Sequence, residues 1–110
     1  DQIFNTTLID KKVIGFQNRN TIMEDVKEVN LFVAEMGTGY NPKERFEGIK
    51  KNNFYGTYLV GPLLVRNPYF RDYIIEELMK SKNLKYIKSK EEMPYFAYDN
   101  YFKTYDTYIK

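Results

Sequence analysis

The segment from Tyr55 to Pro68 constrains the fold of this chain most, because it joins a strand pattern, a tight turn and a helix start. Residues 55–59 are mostly aromatic or β-branched, with one glycine among them, which favours a strand. The Gly61-Pro62 pair then ends that strand. Asn67 and Pro68 predict a helix, with Asn67 as its N-cap and Pro68 at its first position. Chemistry is often placed at such a junction.

Runs rich in Val, Ile and Phe, bounded by polar clusters, predict further strands before this segment. We expect a short edge strand in 1–8, strands in 12–18 and 29–36, and a polar loop or one helical turn in 20–27. A local hairpin should pair 46–50 with 54–59 across a turn at 51–53.

Two helices are predicted after residue 67. Apolar residues recur every three or four positions in 68–82, which is typical of an amphipathic helix, and Asn83 is its expected stop. Tyrosines after Met93-Pro94 have the same spacing and predict a second helix; they are Tyr95, Tyr98, Tyr101, Tyr105 and Tyr108. We expect this helix to pack on the sheet with its hydroxyls in water. The alternative is a face that binds a partner or stacks on sugars.

The segment 56–68 also resembles a known family. Class I glutamine amidotransferases of the cobyric acid synthase type, with the related subunit that amidates peptidoglycan lipid intermediates, carry Gly-Thr-Tyr-Leu-His-Gly-Pro-Leu-Leu and then Asn-Pro. The matching residues here are Gly56, Thr57, Tyr58, Leu59, Gly61, Pro62, Leu63, Leu64, Asn67 and Pro68. Val60 stands where the family has its catalytic histidine.

Two earlier motifs follow the family's order. Residues 13–18 are similar to the family's Val-Ile-Gly-Phe-Glu-Asn strand, with Gln17 in place of the glutamate. Residues 37–41 resemble its glycine-and-asparagine loop and are followed by Glu47-Gly48. The resemblance therefore extends from Val13 to about Leu78.

The resemblance implies an α/β fold, specifically the C-terminal part of a flavodoxin-like amidotransferase domain. It implies a mixed sheet of about four strands with C-terminal helices, and a role connected with cobyric acid synthase and cobalamin biosynthesis. We expect residues 1–83 to be this portion of the domain. Residues 84–110 should be a Tyr-rich extension that packs on the same domain.

The chain contains no cysteine and no histidine. Glutamine hydrolysis in the resembled family needs a cysteine thiolate activated by histidine. We therefore expect a pseudoenzyme without glutaminase activity, in which no residue is catalytic, no cofactor is bound and no metal is held.

Three functional hypotheses remain open at this stage. In the first, the chain belongs to a longer amidotransferase relative whose activity is absent or altered. In the second, it is a non-catalytic module that docks a partner or a small nitrogenous ligand. In the third, an enzyme recruits an acid or base from elsewhere, for instance Tyr58, Glu47 or Asp72.

Weaker candidate sites each have an ordinary structural explanation. Gly37-Thr38-Gly39 is either an anion-binding loop or a strand-end turn, and we favour the turn. Glu24-Asp25 with Glu28, and Glu91-Glu92, offer carboxylates for a cation or for acid–base chemistry, although solvated acidic turns are commoner. Arg66 is a candidate for orienting a carboxylate. The basic run is expected to be a solvated face; it comprises Lys80, Lys82, Lys85, Lys88 and Lys90.

Charge and hydropathy limit the partners. A formal charge of +2 is too small to indicate a nucleic-acid surface. No apolar run has the length of a membrane span, and no leader pattern follows Asp1, so we expect a cytoplasmic protein. The expected partners are further copies of the chain or a missing N-terminal half of the domain.

Overall fold

The computed structural model describes residues 1–19, 21–24, 26–88 and 90–109, without the side chains of 108 and 109. The chain forms two compact units, Asp1–Leu63 and Leu64–Lys110. The first unit contains the sheet and the second contains the long helices, which confirms an α/β composition. The division into 1–83 and 84–110 rests on the family resemblance and stays a prediction.

The described residues of the first unit form one five-stranded sheet in the order β2-β1-β3-β4-β5. Its strands are β1 (Gln2–Asn5), β2 (Val13–Gly15), β3 (Val29–Met36), β4 (Phe46–Lys51) and β5 (Phe54–Gly56).

Every pairing between these strands is antiparallel, so the expected mixed sheet of about four strands is wrong. Parallel neighbours need a crossover connection, usually a helix, and the described links between these strands contain none.

Strand β1 is not the edge strand that the sequence predicts, because it lies between β2 and β3. Ile3 and Phe4 are both fully buried, and in a strand they point to opposite faces. The edge position belongs to β2 instead. The core of this unit includes Phe4 and Phe32, whose ring centroids lie 6.0 Å apart, with Val13, Ile14, Leu31, Ala34 and Leu59 also buried.

The predicted hairpin between β4 and β5 is confirmed, and Asn52 adopts the left-handed conformation in its turn with φ 53. Strand β5 ends at Gly56 rather than at residue 59. The reason is that Thr57 and Tyr58 bond to the Glu47 side chain instead of continuing the ladder. Leu59 then forms an isolated antiparallel bridge with Gln17.

The second unit contains α1 (Leu63–Arg66, beginning one residue before the unit boundary), α2 (Pro68–Ser81) and α3 (Met93–Ile109). The predicted helix starts and stops are confirmed to within a residue, with one correction. Asn67 occupies the N-cap position, but within the described chain its side chain makes no capping hydrogen bond. Asn83 ends α2 in the left-handed conformation, and the N–H of Leu84 donates to the Met79 carbonyl at 2.8 Å.

Helix α3 carries the predicted tyrosine face, although the Tyr108 side chain lies outside the described residues. Tyr98 is buried, and the Tyr69 ring contacts the Tyr95 and Tyr98 rings edge-on at 5.1 and 5.2 Å. The expectation that the hydroxyls point to water is wrong for Tyr95, which donates to Asp72. In the part of the chain that is described, no helix has the length and hydropathy needed to cross a membrane.

Candidate functional site

The two segments that carry the strongest family resemblance meet in the structure. Gln17 bridges Leu59, and the Val60 N–H donates to the Phe16 carbonyl at 2.8 Å. Residues 13–18 and 55–60 are therefore neighbours, although about forty positions separate them in the sequence. This convergence defines the candidate site.

Leu59 and Val60 differ sharply in their surroundings. Leu59 is 6% exposed and packs on Gly15, where an added Cβ would lie 2.8 Å from a Leu59 methyl carbon. Val60 is 40% exposed. The side chain at position 60, where the sequence resemblance predicts the family's histidine, is therefore accessible, while Leu59 anchors the strand end in the core.

The Glu47 side chain holds this strand end through hydrogen bonds. Its side chain is fully buried, and its carboxylate accepts hydrogen bonds from Thr57 Oγ1 at 2.7 Å and from the Tyr58 N–H at 2.6 Å. Thr57 Oγ1 in turn accepts from the Leu59 N–H at 3.0 Å. One buried carboxylate thus fixes three consecutive residues ahead of Val60.

Burial raises the pKa of Glu47 above its ordinary value, because the charged form loses its hydration. The hydrogen bonds from Thr57 and Tyr58 and the charge of Arg19 act in the opposite direction, and burial prevails. Its oxygens are engaged and inaccessible, so Glu47 positions the backbone rather than meeting a substrate.

Gln17 and Arg19 donate hydrogen bonds that connect the loop at 37–39 to the same site. Gln17 Nε2 donates to the Thr38 carbonyl and to Gln2 Oε1, both at 2.9 Å. Arg19 donates to the Gly39 carbonyl at 2.9 Å, and its guanidinium carbon lies 4.7 Å from the Tyr58 ring centroid. A glutamate carboxylate has no N–H for these acceptors, so both contacts require the Gln17 amide.

The backbone of the loop at 37–39 is engaged in hydrogen bonds within the protein. The N–H groups of Gly39 and Tyr40 donate to the Glu44 and Phe46 carbonyls at 2.7 and 2.9 Å, so neither is available to an anion. Gly39 has no room for a side chain, since an added Cβ would lie 2.1 Å from the Phe46 carbonyl oxygen.

Asp72 lies in the second unit, in a separate polar cluster. It is 4% exposed and accepts hydrogen bonds from the Tyr86 hydroxyl at 2.7 Å and from the Tyr95 hydroxyl. The Arg71 Nη2 atom lies 3.5 Å from Asp72 Oδ1. The hydrogen bond to Asp72 raises the pKa of Tyr86, and burial followed by the bond to Asp72 raises the pKa of Tyr95. The cluster binds helices together and offers no free base.

The described residues contain no group of three His, Cys, Asp or Glu side chains able to hold a metal ion. Asp25 lies outside the described residues, so the suggested cluster with Glu24 and Glu28 stays a prediction. The Arg66 guanidinium carbon lies 5.7 Å from the Tyr101 ring centroid.

Sequence reasoning missed the roles of Arg19 and Thr57. Gln17 and Arg19 are two positions apart, a spacing that places both side chains on one side of an extended segment. The Thr38 and Gly39 carbonyls to which they donate lie about twenty residues later, and no local pattern indicates that contact.

Comparison with known proteins gives one partial relationship. The chain is 38% identical over 50 residues to the GatD subunit of the glutamine-hydrolysing lipid II isoglutaminyl synthase of Staphylococcus aureus strain N315. The match covers 46% of this chain and 21% of GatD, so the chain spans only about a fifth of that relative. No protein-family model matches the chain, and no solved structure matches it. The chain therefore has a loose sequence relationship to a glutamine amidotransferase-type protein.

Proposed function

We propose that this chain is the C-terminal portion of a glutamine amidotransferase-like protein and does not itself hydrolyse glutamine. The relationship to GatD supports the amidotransferase part of this proposal. GatD is named for lipid II, so the finer assignment to cobyric acid synthase and cobalamin biosynthesis stays a prediction, as does a flavodoxin-like parent fold.

The junction between residues 15–17 and 59–60 carries the proposal. The strand end is ordered by three features. Leu59 is buried, Thr57 and Tyr58 donate hydrogen bonds to the Glu47 carboxylate (the Glu47 clamp), and the Val60 N–H donates to the Phe16 carbonyl. Its accessible side chain belongs to Val60, and a branched hydrocarbon neither accepts nor relays a proton. These contacts support the proposal that the chain keeps the family's scaffold without a base at position 60.

The direct test is a glutaminase assay on the purified chain. We expect the release of ammonia and glutamate from glutamine to equal the buffer blank. Reproducible glutamate formation that a single substitution in this chain abolishes would overturn the proposal. A substitution at Tyr58 or Asp72 with that effect would favour an enzyme that recruits its acid or base elsewhere.

The second candidate is a non-catalytic binding module that keeps the amidotransferase scaffold. A cavity of about 240 Å³ in the first unit favours it. This function requires no cysteine or histidine. Saturable binding of a small molecule without turnover would support it.

A further inference from the structure

The cavity lies beside the Glu47 clamp, between the β4–β5 hairpin and neighbouring loop residues. Its volume is about 240 Å³, and most of its wall is apolar. A cavity of about 150 Å³ lined by apolar side chains holds one benzene ring. The lining residues used below are Met23, Tyr40, Glu47, Gly48, Ile49 and Gly56.

Glycine creates part of this space. At Gly56 an added Cβ would lie 3.0 Å from a Phe54 ring carbon and 3.3 Å from Ile49 Cγ1, so a side chain there would enter the cavity. Gly48 has φ +74, a conformation that other residues rarely adopt, and its added Cβ would lie 2.9 Å from the Gly56 carbonyl oxygen. Gly56 therefore keeps this part of the cavity open, while an added Cβ at Gly48 would also meet the buried Leu31 side chain.

The walls specify the chemistry of an occupant. Glu47 is fully buried with its oxygens bonded to Thr57 and Tyr58, so the cavity offers no accessible charge from it. Tyr40 is 6% exposed, and among the described residues nothing hydrogen-bonds its hydroxyl. Burial, followed by the charge of Glu44, raises the pKa of Tyr40. Tyr40 is thus a lining residue of this mostly apolar cavity that carries one uncharged hydroxyl.

We infer that this cavity is a binding site for a small, uncharged ring compound that carries one hydrogen-bonding substituent. The ring occupies the space over Gly56 between Met23 and Ile49, and its substituent pairs with the Tyr40 hydroxyl. This site is distinct from position 60 and does not depend on glutamine hydrolysis.

Phenol is a suitable probe because it combines one ring with one hydroxyl. We expect titration with phenol to shift the methyl NMR signals of Met23 and Ile49 saturably, with Ile3 and Ile14 in the sheet core unaffected. Nuclear Overhauser contacts from the phenol ring to the Met23 and Ile49 methyl groups of the unmodified chain locate the ligand independently of any variant.

Matched glycine variants sharpen the test. Gly56→Ala should weaken phenol binding roughly tenfold or more by occupying the cavity. Gly61→Ala is the control, because an added Cβ there meets nothing within 4 Å, and it should bind like the unmodified chain. Tyr40→Phe should weaken binding roughly fivefold through the loss of one hydrogen bond. Absence of saturable shifts at Met23 and Ile49, or unchanged affinity in a folded Gly56→Ala, would overturn the inference.

Discussion

At the scale of single residues, Val60 and Leu59 show how neighbouring positions divide structural and functional roles. Leu59 fills the space over Gly15, while Val60 is 40% exposed beside it. The bond from the Val60 N–H to Phe16 involves only backbone atoms, so it does not depend on which side chain stands at position 60.

Val60→His should therefore be tolerated, with a loss of about 1 kcal/mol or less in the free energy of unfolding. Leu59→His is the matched control and should lose about 3 kcal/mol or more, since it removes a buried apolar side chain and buries a polar one. Thermal midpoints of the three proteins provide the measurement. Equal losses in both variants would mean that Val60 belongs to the core and that the family position is wrongly assigned.

Glu47 gives a second prediction at this scale. Glu47→Ala leaves the Thr57 hydroxyl and the Tyr58 N–H without their acceptor, each at about 1–3 kcal/mol. Glu77→Ala is the control, because the partly exposed Glu77 carboxylate lies 3.6 Å from Lys80 Nζ, and such surface pairs contribute little. Urea unfolding that shows equal midpoints for the two variants would refute the clamp.

The pH dependence of stability tests the same residue. Because the folded-state pKa of Glu47 is raised, the folded chain keeps this proton to a higher pH than the unfolded chain. Its stabilising contribution is complete below the ordinary glutamate pKa and is lost as the pH rises through the raised value. The free energy of unfolding of the unmodified chain, relative to Glu47→Gln, should fall over that interval. If the free energy of unfolding of the unmodified chain instead rises with pH relative to that of Glu47→Gln, burial is not the dominant influence on the Glu47 pKa.

Among the strands and helices, the sequence predicts those boundaries that the adjacent residues determine. Strand β3 begins at Val29 and ends at Met36, and α2 begins at Pro68, all as their flanking residues indicate. Strand β5 ends early because of Glu47, a residue ten positions before Thr57. Such a side-chain contact between strands depends on the hairpin register and has no local signal.

The helices of the second unit are linked by the Asp72 cluster, which makes Tyr95 a specific test. Tyr95→Phe removes the hydroxyl that donates to Asp72 and accepts from Arg71. We expect a loss of about 2 kcal/mol, typical of hydrogen bonds to charged groups. Tyr101→Phe is the control, because no hydrogen bond to its hydroxyl is found among the described residues. Urea unfolding followed by circular dichroism should show a lower midpoint for Tyr95→Phe than for Tyr101→Phe. Indistinguishable unfolding curves would contradict a stabilising role of the Asp72 cluster.

At the scale of the whole molecule, the antiparallel sheet was not predictable from local patterns. Strand pairing depends on which segments meet, and the resemblance to a flavodoxin-like domain favoured a mixed sheet. No local pattern indicates the meeting of residues 13–18 with 55–60. The apolar side chains left exposed on β3 and β4 also emerge only from the assembled sheet.

The exposed apolar face of β3 and β4 leads us to predict self-association. Val33 and Phe46 lie opposite each other and are 38% and 40% exposed, and Val29 on the same face is 71% exposed. We expect a dimer or larger oligomer that Val29→Lys weakens. Ile87→Lys, at a residue 82% exposed in the link between α2 and α3, should leave the assembly unchanged. A monomer at every concentration in sedimentation experiments would contradict this prediction.

In the proposed function, the chain keeps an amidotransferase scaffold but lacks the family's base at position 60. The most direct measurement uses two chimeras of S. aureus GatD in which residues 13–68 of this chain replace the matching segment, one with Val60 and one with Val60→His. Glutamate release from glutamine is measured in the assembled synthase, after circular dichroism has established that both chimeras fold. We predict no release above the blank with Val60 and measurable release with Val60→His. Activity with Val60, or none with Val60→His in a folded chimera, would contradict the claim.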